Sequence, residues 1–484
     1  MGFSDIAYEH WCKRKAPKIS LIPKFYQNYG LQGEEHNTIL LTISFSSGNS
    51  IGIVSLSGTG KSYLADIYFN YLYPEELFYR IAGSGSRQAL VNDWREIETK
   101  KGIYIEELQK LLFYEENKEI LKNVLEGKKY MRRKVDEKNH RIIKQVINPV
   151  PVLFTIAIEN QDKTYNEAEF SRRNFLTLHT DISKDTTRKV IRYKLDERFA
   201  KPESLRTISV ADEEHMKYHV NNMIRYLPNF MYVNPFARYL DKIFDDDFLK
   251  IRSLITNYLD IIDCSAAWHN NNRFKLIDGN TRDHKNRKYD GKVFCTLQDM
   301  WNAHVLYGKQ FFYTVLGIPP LGEELMDIFD TGEGIPIKQQ KITGKEKPKK
   351  FFTVERLHRE IKIKRKVVLT HEVIKTACDQ LCIGNYLEKV LRNRIVYYVK
   401  ALNIETWVDR MNILKCWDIG STIMKQKYPE CYESWLQSNL DDEWNLYIVD
   451  PVTYNKTILK HYGKSNITLI NKTEETKDES DIKG

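Results

Sequence analysis

Residues 51–64 read IGIVSLSGTGKSYL and hold the spacing best able to do chemistry. Ile51, Ile53 and Val54 form a short apolar run, as a buried strand should. Ser57-Gly58-Thr59-Gly60-Lys61-Ser62 follows, and Tyr63 opens a helix-like stretch to Leu72. Strand, glycine loop and helix in that order suit a phosphate: glycines let backbone N–H groups turn inward, and the helix start adds partial positive charge. Lys61 would reach the β- and γ-phosphates of ATP, and the Ser62 hydroxyl would sit on Mg²⁺. Ser55 stands where the first glycine of G-x-x-x-x-G-K-S is usual. The competing readings are a chance GTGKS loop, or a loop that binds nucleotide without turning it over.

Such a loop needs acids on a neighbouring strand. Gly102-Ile103-Tyr104-Ile105-Glu106-Glu107 supplies them, 45 residues beyond Lys61 at its first glutamate. Glu106, in place of the commoner Asp, would orient the metal through water, and Glu107 would be the catalytic base. A second apolar strand is expected over Val150–Ile158, and a polar residue at its tip could bond the γ-phosphate or the attacking water. Thr155 and Asn160 are the candidates, with Asn160 preferred. Arg172 and Arg173 come next; one of them could reach a neighbouring subunit's γ-phosphate and stabilise transition-state charge. The plainer reading is a surface arginine pair.

Between the acidic strand and that second strand, residues 122–144 carry nine Lys/Arg against three acids. Tyr130–Val135 and Arg141–Ile147 are predicted as a hairpin turning at Asp136–His140. Lys128, Lys129, Arg132, Arg133 and Lys134 would track a phosphate backbone, and Tyr130 could stack on a base. A solvated basic hairpin is the alternative.

The elements that must position these groups fall into an order. Residues 1–36 carry few periodic signals and read as a lead-in. An α/β pattern runs over 37–200, and a helix-rich stretch over 205–330. Residues 331–350, lysine-rich with three glycines and two prolines, read as a linker. Over 351–400 the pattern is helix, helix and two strands. Phe352–Ile361 has a threonine cap; a second helix opens at Thr370 with Val373, Ala377 and Leu381 inward, and ends at Gly384. Tyr386–Leu391 and Ile395–Val399 flank a turn at Arg392-Asn393-Arg394. That is a winged helix, whose second helix would expose His371, Lys375, Thr376 and Asp379 to duplex DNA while Arg392 and Arg394 meet phosphate. A protein-docking winged helix is the alternative. Less certain α/β structure is expected over 401–462, and a frayed polar tail over 463–484.

Bulk composition agrees with two or three domains in 484 residues. The net charge of +9 suits a nucleic-acid partner or plain solubility. Seven cysteines form no Cys-x-x-Cys pair, which points to reduced thiols rather than zinc. With no long apolar run and no signal-like start, a cytoplasmic chain with no membrane span is expected.

The order of these parts resembles helicase-like AAA+ ATPases of bacterial and archaeal mobile elements, distantly similar to MCM and superfamily 3 helicases. TILLTISFSSGNSIGIVSLSGTGKSYL resembles their opening, and FYRIAGSGSRQAL their second strand. GIYIEEL resembles the Walker B strand, EILKNVLEGKKYMRRKV the helix entering the pre-sensor hairpin, and VLFTIAIEN with FSRRNFLTLHTDIS sensor 1 and the arginine region. VNPFARYLDKIFDDDFLKIRSLITNYLDIIDCSAAWHNNNR and KVFCTLQDMWNAHVL are similar to the helical lid. The resemblance covers roughly residues 35–400. It implies an α/β fold: an AAA+ P-loop NTPase core, a helical lid and a C-terminal winged-helix domain. It also makes Arg252 a candidate sensor 2 on nucleotide phosphate, ahead of Lys250. The expected activity is ATP hydrolysis with Mg²⁺, driving a DNA helicase or translocase that works as a homo-oligomeric ring in replication of a mobile element or virus. Single-stranded DNA would lie in the pore and duplex at the winged helix. The alternative is an ATP-gated DNA-binding initiator or regulator with little unwinding.

Overall fold

The computed structural model describes residues 10–55, 58–81, 90, 93–112, 115–125, 127–135, 142–157, 175–181, 184–199, 205–244, 251–277, 281–283, 286–316, 321–332, 335–336, 350–365, 369–383, 386–401 and 411–440. Its centre is a five-stranded sheet built from β1 (Ile51–Ser55), β2 (Phe78–Ile81), β3 (Gly102–Ile105), β6 (Val152–Ala157) and β7 (Leu176–Leu178). The spatial order is β2-β3-β6-β1-β7, and every pairing is parallel. A parallel sheet buries both faces, so its strands read as continuous apolar runs whose alternate residues serve opposite faces. Ile51, Ile53, Tyr104 and Leu153 join the core on one side. Val54, Ile103, Ile105, Phe154 and Ile156 join the core on the other. The expected α/β P-loop core is present.

Between β3 and β6 the chain descends through the helix Glu115–Leu125 and forms an antiparallel hairpin of β4 (Tyr130–Val135) and β5 (Ile142–Ile147). The hairpin re-enters the sheet at Asn148, whose backbone and side-chain N–H groups donate to Glu98 Oε1. It therefore leaves from the rim of strand starts, opposite the glycine loop after β1.

The lead-in is part of the core. Trp11, Ile19, Ile22, Phe25 and Tyr26 are buried, and Trp11 Nε1 donates to His219 Nδ1 at 3.2 Å. The helix Leu21–Asn28 carries this apolar face onto the helix Glu35–Ser46, which is buried along almost its whole length.

The stretch 205–330 holds the expected helices, Val210–Tyr226, Ile251–Trp268, Leu297–Leu316 and Leu321–Thr331. It also contains an unexpected sheet of β8 (Phe230–Val233), β9 (Lys275–Leu276) and β10 (Gly291–Phe294). Arg273 and Asp299, both fully buried, meet there in a two-pronged pair at 2.8 Å. The described part of 401–462 is helical rather than α/β. The helices Ile413–Lys427 and Tyr432–Leu440 return to the helical domain, where Trp417 and Trp435 stack beside Phe236. Trp435 Nε1 donates to Cys295 O at 2.9 Å. Residues 351–400 thus interrupt one packed unit.

That insertion comprises β12 (Lys350–Phe352), the helices Val354–Arg365 and His371–Ile383, and a hairpin of β13 (Leu387–Arg392) and β14 (Ile395–Lys400). Together with β11 (Ile335–Pro336) the strands form a sheet of order β11-β12-β14-β13. Thr353 and Thr370 cap the two helices through their hydroxyls. The second helix turns Ile374, Ala377, Cys378 and Leu381 inward, and Val373 is exposed. The apolar stripe runs i, i+3, i+4, i+7 from Ile374, so the expected phase was one residue out at Val373. Gly384 lies outside the described residues. All seven cysteines are free. Among the described residues no helix is long and apolar enough to cross a membrane.

Candidate functional site

Parallel strands put all their C-terminal ends on one rim, the usual place for a ligand in an open α/β sheet. Ile105, Phe154 and Gly52 are level across β3, β6 and β1. Glu106 and Glu107 therefore emerge on the same rim as the loop after Ser55, with β6 between them. Gly58 and Gly60 have φ of 76° and 87°. These left-handed conformations suit glycine, and among the described residues nothing beyond the chain neighbours lies within 4 Å of where either Cβ would be. The cradle is open, as a backbone phosphate nest must be. Lys61 is the first residue of the following helix and is 8% exposed. Ser62 is exposed beside it, and the Tyr63 hydroxyl donates to Tyr29 O, so its ring braces the lead-in. Ser57 lies outside the described residues. Ser55 Oγ is buried and finds no hydrogen-bond partner among the described residues.

The residues fit magnesium nucleotide. Among the described residues no cluster of three or more His, Cys, Asp or Glu could hold a metal. Magnesium does not need one, because it keeps several waters and takes one or two protein ligands plus phosphate. Ser62 and Glu106 are the groups that would supply so sparse a set.

Two features around the acids were not foreseen. Arg80, on β2, donates from Nε to Glu106 Oε1 at 2.7 Å and from Nη2 to both Glu106 Oε1 and Asp66 Oδ1. Asp66 belongs to the helix that Lys61 opens, so one guanidinium ties that helix to the acidic strand. Glu107 has a left-handed backbone, φ 52° and ψ 63°, which is costly for a residue with a Cβ and clusters at functional sites. Its amide donates to the buried Thr155 Oγ1 at 3.2 Å, and its carboxylate pairs with Lys110. Thr155, weighed from the sequence for the γ-phosphate, instead holds the Glu107 backbone. Asn160, Arg172 and Arg173 lie outside the described residues.

A further group faces the loop from β7 and the N-terminal segment. His179 Nδ1 donates to Val54 O at 2.8 Å. Burial pulls the His179 pKa down to about 4, so the ring is neutral at pH 7. Thr180 Oγ1 donates to Thr59 Oγ1 at 2.8 Å. Asp181 N donates to Glu34 Oε1 at 2.8 Å, and Asn37 Nδ2 donates to Glu34 Oε2 at 2.6 Å and to His179 O at 2.8 Å.

Glu34 is 6% exposed, and burial outweighs those donors and pushes its pKa up to about 8. The raised value means that folding favours the protonated form. Its stabilising contribution is complete below about pH 4.5 and is lost as pH rises through about 8, by at most ~5 kcal/mol. Chemical denaturation of wild type and Glu34→Gln across pH 5 to 8.5 checks this. The stability of wild type relative to the variant is expected to decline with rising pH. Parallel curves would show that Glu34 does not titrate in that window.

The remaining candidates sit as follows. Lys128 and Lys129 are exposed at the foot of the hairpin. Tyr130, expected to stack on a base, packs on the core beneath β3 and β6, and Met131 is the exposed neighbour at 63%. Arg132, Arg133 and Lys134 follow along β4, opposite Gln145, Lys144 and Ile143. Lys375, Arg392 and Arg394 are exposed. Asp379, expected to face outward, accepts from Lys389 Nζ at 3.0 Å and from the Tyr398 hydroxyl at 2.7 Å, and so braces the hairpin.

Arg252 is exposed in the first turn of Ile251–Trp268. That helix is fastened at the rim of strand starts, by Asn257 Nδ2 to Phe175 O at 3.0 Å and by Asn49 Nδ2 to Cys264 Sγ at 2.9 Å. These fastening points lie on the rim opposite the glycine loop.

No protein-family model matches the chain, and no curated protein matches it in sequence. Many solved structures show distant likeness, these three among them. A full-length MCM homologue from Methanopyrus kandleri is 11% identical, with a TM-score of 0.33 over 64% of this chain and 61% of that one. A proposed ATPase from Cytophaga hutchinsonii is 13% identical, with a TM-score of 0.32 over 65% and 96%. The C-terminal region of NrS-1 in its apo form is 11% identical, with a TM-score of 0.25 over 81% and 78%. The chain thus spans about three fifths of the MCM homologue's length. The site itself is that of an α/β P-loop fold: a glycine loop and paired glutamates on one rim of a parallel sheet.

Proposed function

We propose that this chain hydrolyses ATP with Mg²⁺ and uses the cycle to move along DNA, as a helicase or translocase working in a homo-oligomeric ring. The observation that carries the reading is the shared rim of Lys61, Ser62, Glu106 and Glu107, with a separate basic hairpin inserted between β3 and β6 and leaving from the far rim. In this reading Gly58–Ser62 and Tyr63 form the phosphate nest and its helix, and Lys61 neutralises phosphate charge. Bound magnesium would be held by Ser62 and Glu106 and would supply further charge neutralisation. Glu107 takes the proton of the attacking water. Asn160 positions that water, and Arg172 or Arg173 completes the site of a neighbouring subunit. Residues 351–400 are read as a winged helix that meets duplex DNA through Lys375, Arg392 and Arg394.

One observation favours a second reading, an ATP-gated initiator or regulator that unwinds little. Arg80 donates twice to Glu106 Oε1, and this pairing offsets the charge the acid would offer a metal-bound water. The readings part in one experiment: ATPase activity with and without single-stranded DNA, beside strand separation on a forked duplex. The motor predicts DNA-stimulated turnover and separated strands. Binding with negligible turnover supports the switch. In the same assay Arg132→Ala/Arg133→Ala is expected to weaken DNA binding about tenfold or more and to lower the salt slope by roughly two. Unchanged affinity and slope would remove the hairpin from the DNA path.

A further inference from the structure

Thr59 sits between two glycines that both adopt the left-handed conformation. Rotation on either side of it is cheap, so this tip of the loop has the least intrinsic rigidity. A nest binds anion tightly only when its N–H groups are already aimed, since ordering a loop on binding costs affinity. The side chain between the glycines is held: Thr180 Oγ1 donates to Thr59 Oγ1 at 2.8 Å, across 121 positions of sequence. Thr180 is 1% exposed and Thr59 is half-buried, so the bond is shielded from water on its donor side.

The donor stands on a rigid base. Its predecessor is fixed twice, by His179 Nδ1 to Val54 O at 2.8 Å and by Asn37 Nδ2 to His179 O at 2.8 Å. Its successor is fixed twice as well, by Asp181 N to Glu34 Oε1 at 2.8 Å and by Thr186 Oγ1 to Asp181 Oδ2 at 2.5 Å. The segment after β7 is thereby clamped to the strand under the loop, to the N-terminal segment and to the helix Lys184–Phe199. These bonds use Val54 O, His179 O and the side chains of Thr59, Glu34 and Asp181, so none of them takes up a backbone N–H of the loop.

We infer that Thr180 is a positioning residue that pre-organises the phosphate loop through Thr59, with Glu34 and Asn37 as its buttress. The inference rests on the P-loop reading. It adds that affinity for the triphosphate depends on a hydroxyl that never touches it.

The test uses the full chain, MgATP and isothermal titration calorimetry. Thr180→Val keeps the branched shape and loses only the donor; Thr180→Ser keeps the donor. Thr180→Val is expected to weaken MgATP binding about three- to tenfold, in keeping with the loss of one part-buried hydrogen bond. Thr180→Ser should stay within about twofold of wild type. Thr59→Val should lose as much as Thr180→Val, and the double variant no more than either alone, because both remove one interaction. If Thr180→Val folds poorly, Thr59→Val carries the test from the partly exposed side. Wild-type affinity in both valine variants, or losses that add in the double, would overturn the inference. Absence of MgATP binding in wild type would overturn the P-loop reading itself, which is a distinct result.

Discussion

Lys61→Ala is expected to lower ATP affinity by about a hundredfold or more and to leave the fold intact. The argument is electrostatic. Lys61 is 8% exposed, at the start of the helix that follows two left-handed glycines. A charge placed there is weakly screened, and a charge-assisted bond to phosphate is about twice as strong as a neutral one. Removing it leaves the triphosphate against amides alone. The check is a thermal-shift titration beside calorimetry. Wild type at a hundred times its dissociation constant should gain about 2.7 kcal/mol from ligand linkage. The variant should gain almost nothing, with an unshifted baseline. Retained affinity would mean that the triphosphate does not lie in this loop.

The loop was legible because its chemistry is local: glycines, lysine and serine within a few positions, between an apolar strand and a helix. The hairpin was legible for the same reason, and β4 and β5 fall within a residue of expectation. The helix, helix and hairpin order over 351–400 came through too, apart from the phase at Val373 and Ile374. Local propensity cannot reveal groups that meet only in the fold. Arg80 and Glu106 are 26 positions apart, Glu107 and Thr155 are 48, and Thr59 and Thr180 are 121. Nothing near Thr180 in the sequence distinguishes it from any polar residue after a short strand. The lead-in looked featureless for a related reason. Trp11, Phe25 and Tyr26 follow no long period, yet a helix 200 residues downstream supplies the surface that covers Trp11. The helices Ile413–Lys427 and Tyr432–Leu440 were missed because their tryptophans pair with each other and with Phe236, across the inserted module.

Glu107→Gln should separate binding from chemistry. The glutamine keeps the size of the side chain and the backbone that Thr155 holds, but cannot accept a proton. Turnover is expected to fall by about 10²- to 10⁴-fold, the usual worth of a positioned general base, with ATP affinity kept within a few fold. Equal losses in both would mean that the substitution disturbed the strained backbone at φ 52° rather than the chemistry. The same variant tests whether neighbours share a site. If Glu107 and Arg173 of adjacent subunits act on one nucleotide, neither Glu107→Gln nor Arg173→Ala alone turns over. A mixed assembly creates some interfaces with both groups intact. With equal amounts and random mixing, about one interface in four is whole, so about a quarter of the wild-type rate per site should return. Recovery to that level requires a ring or chain of identical subunits with sites between them. A mixture as inactive as its parts would place both groups within one subunit, or remove Arg173 from the chemistry.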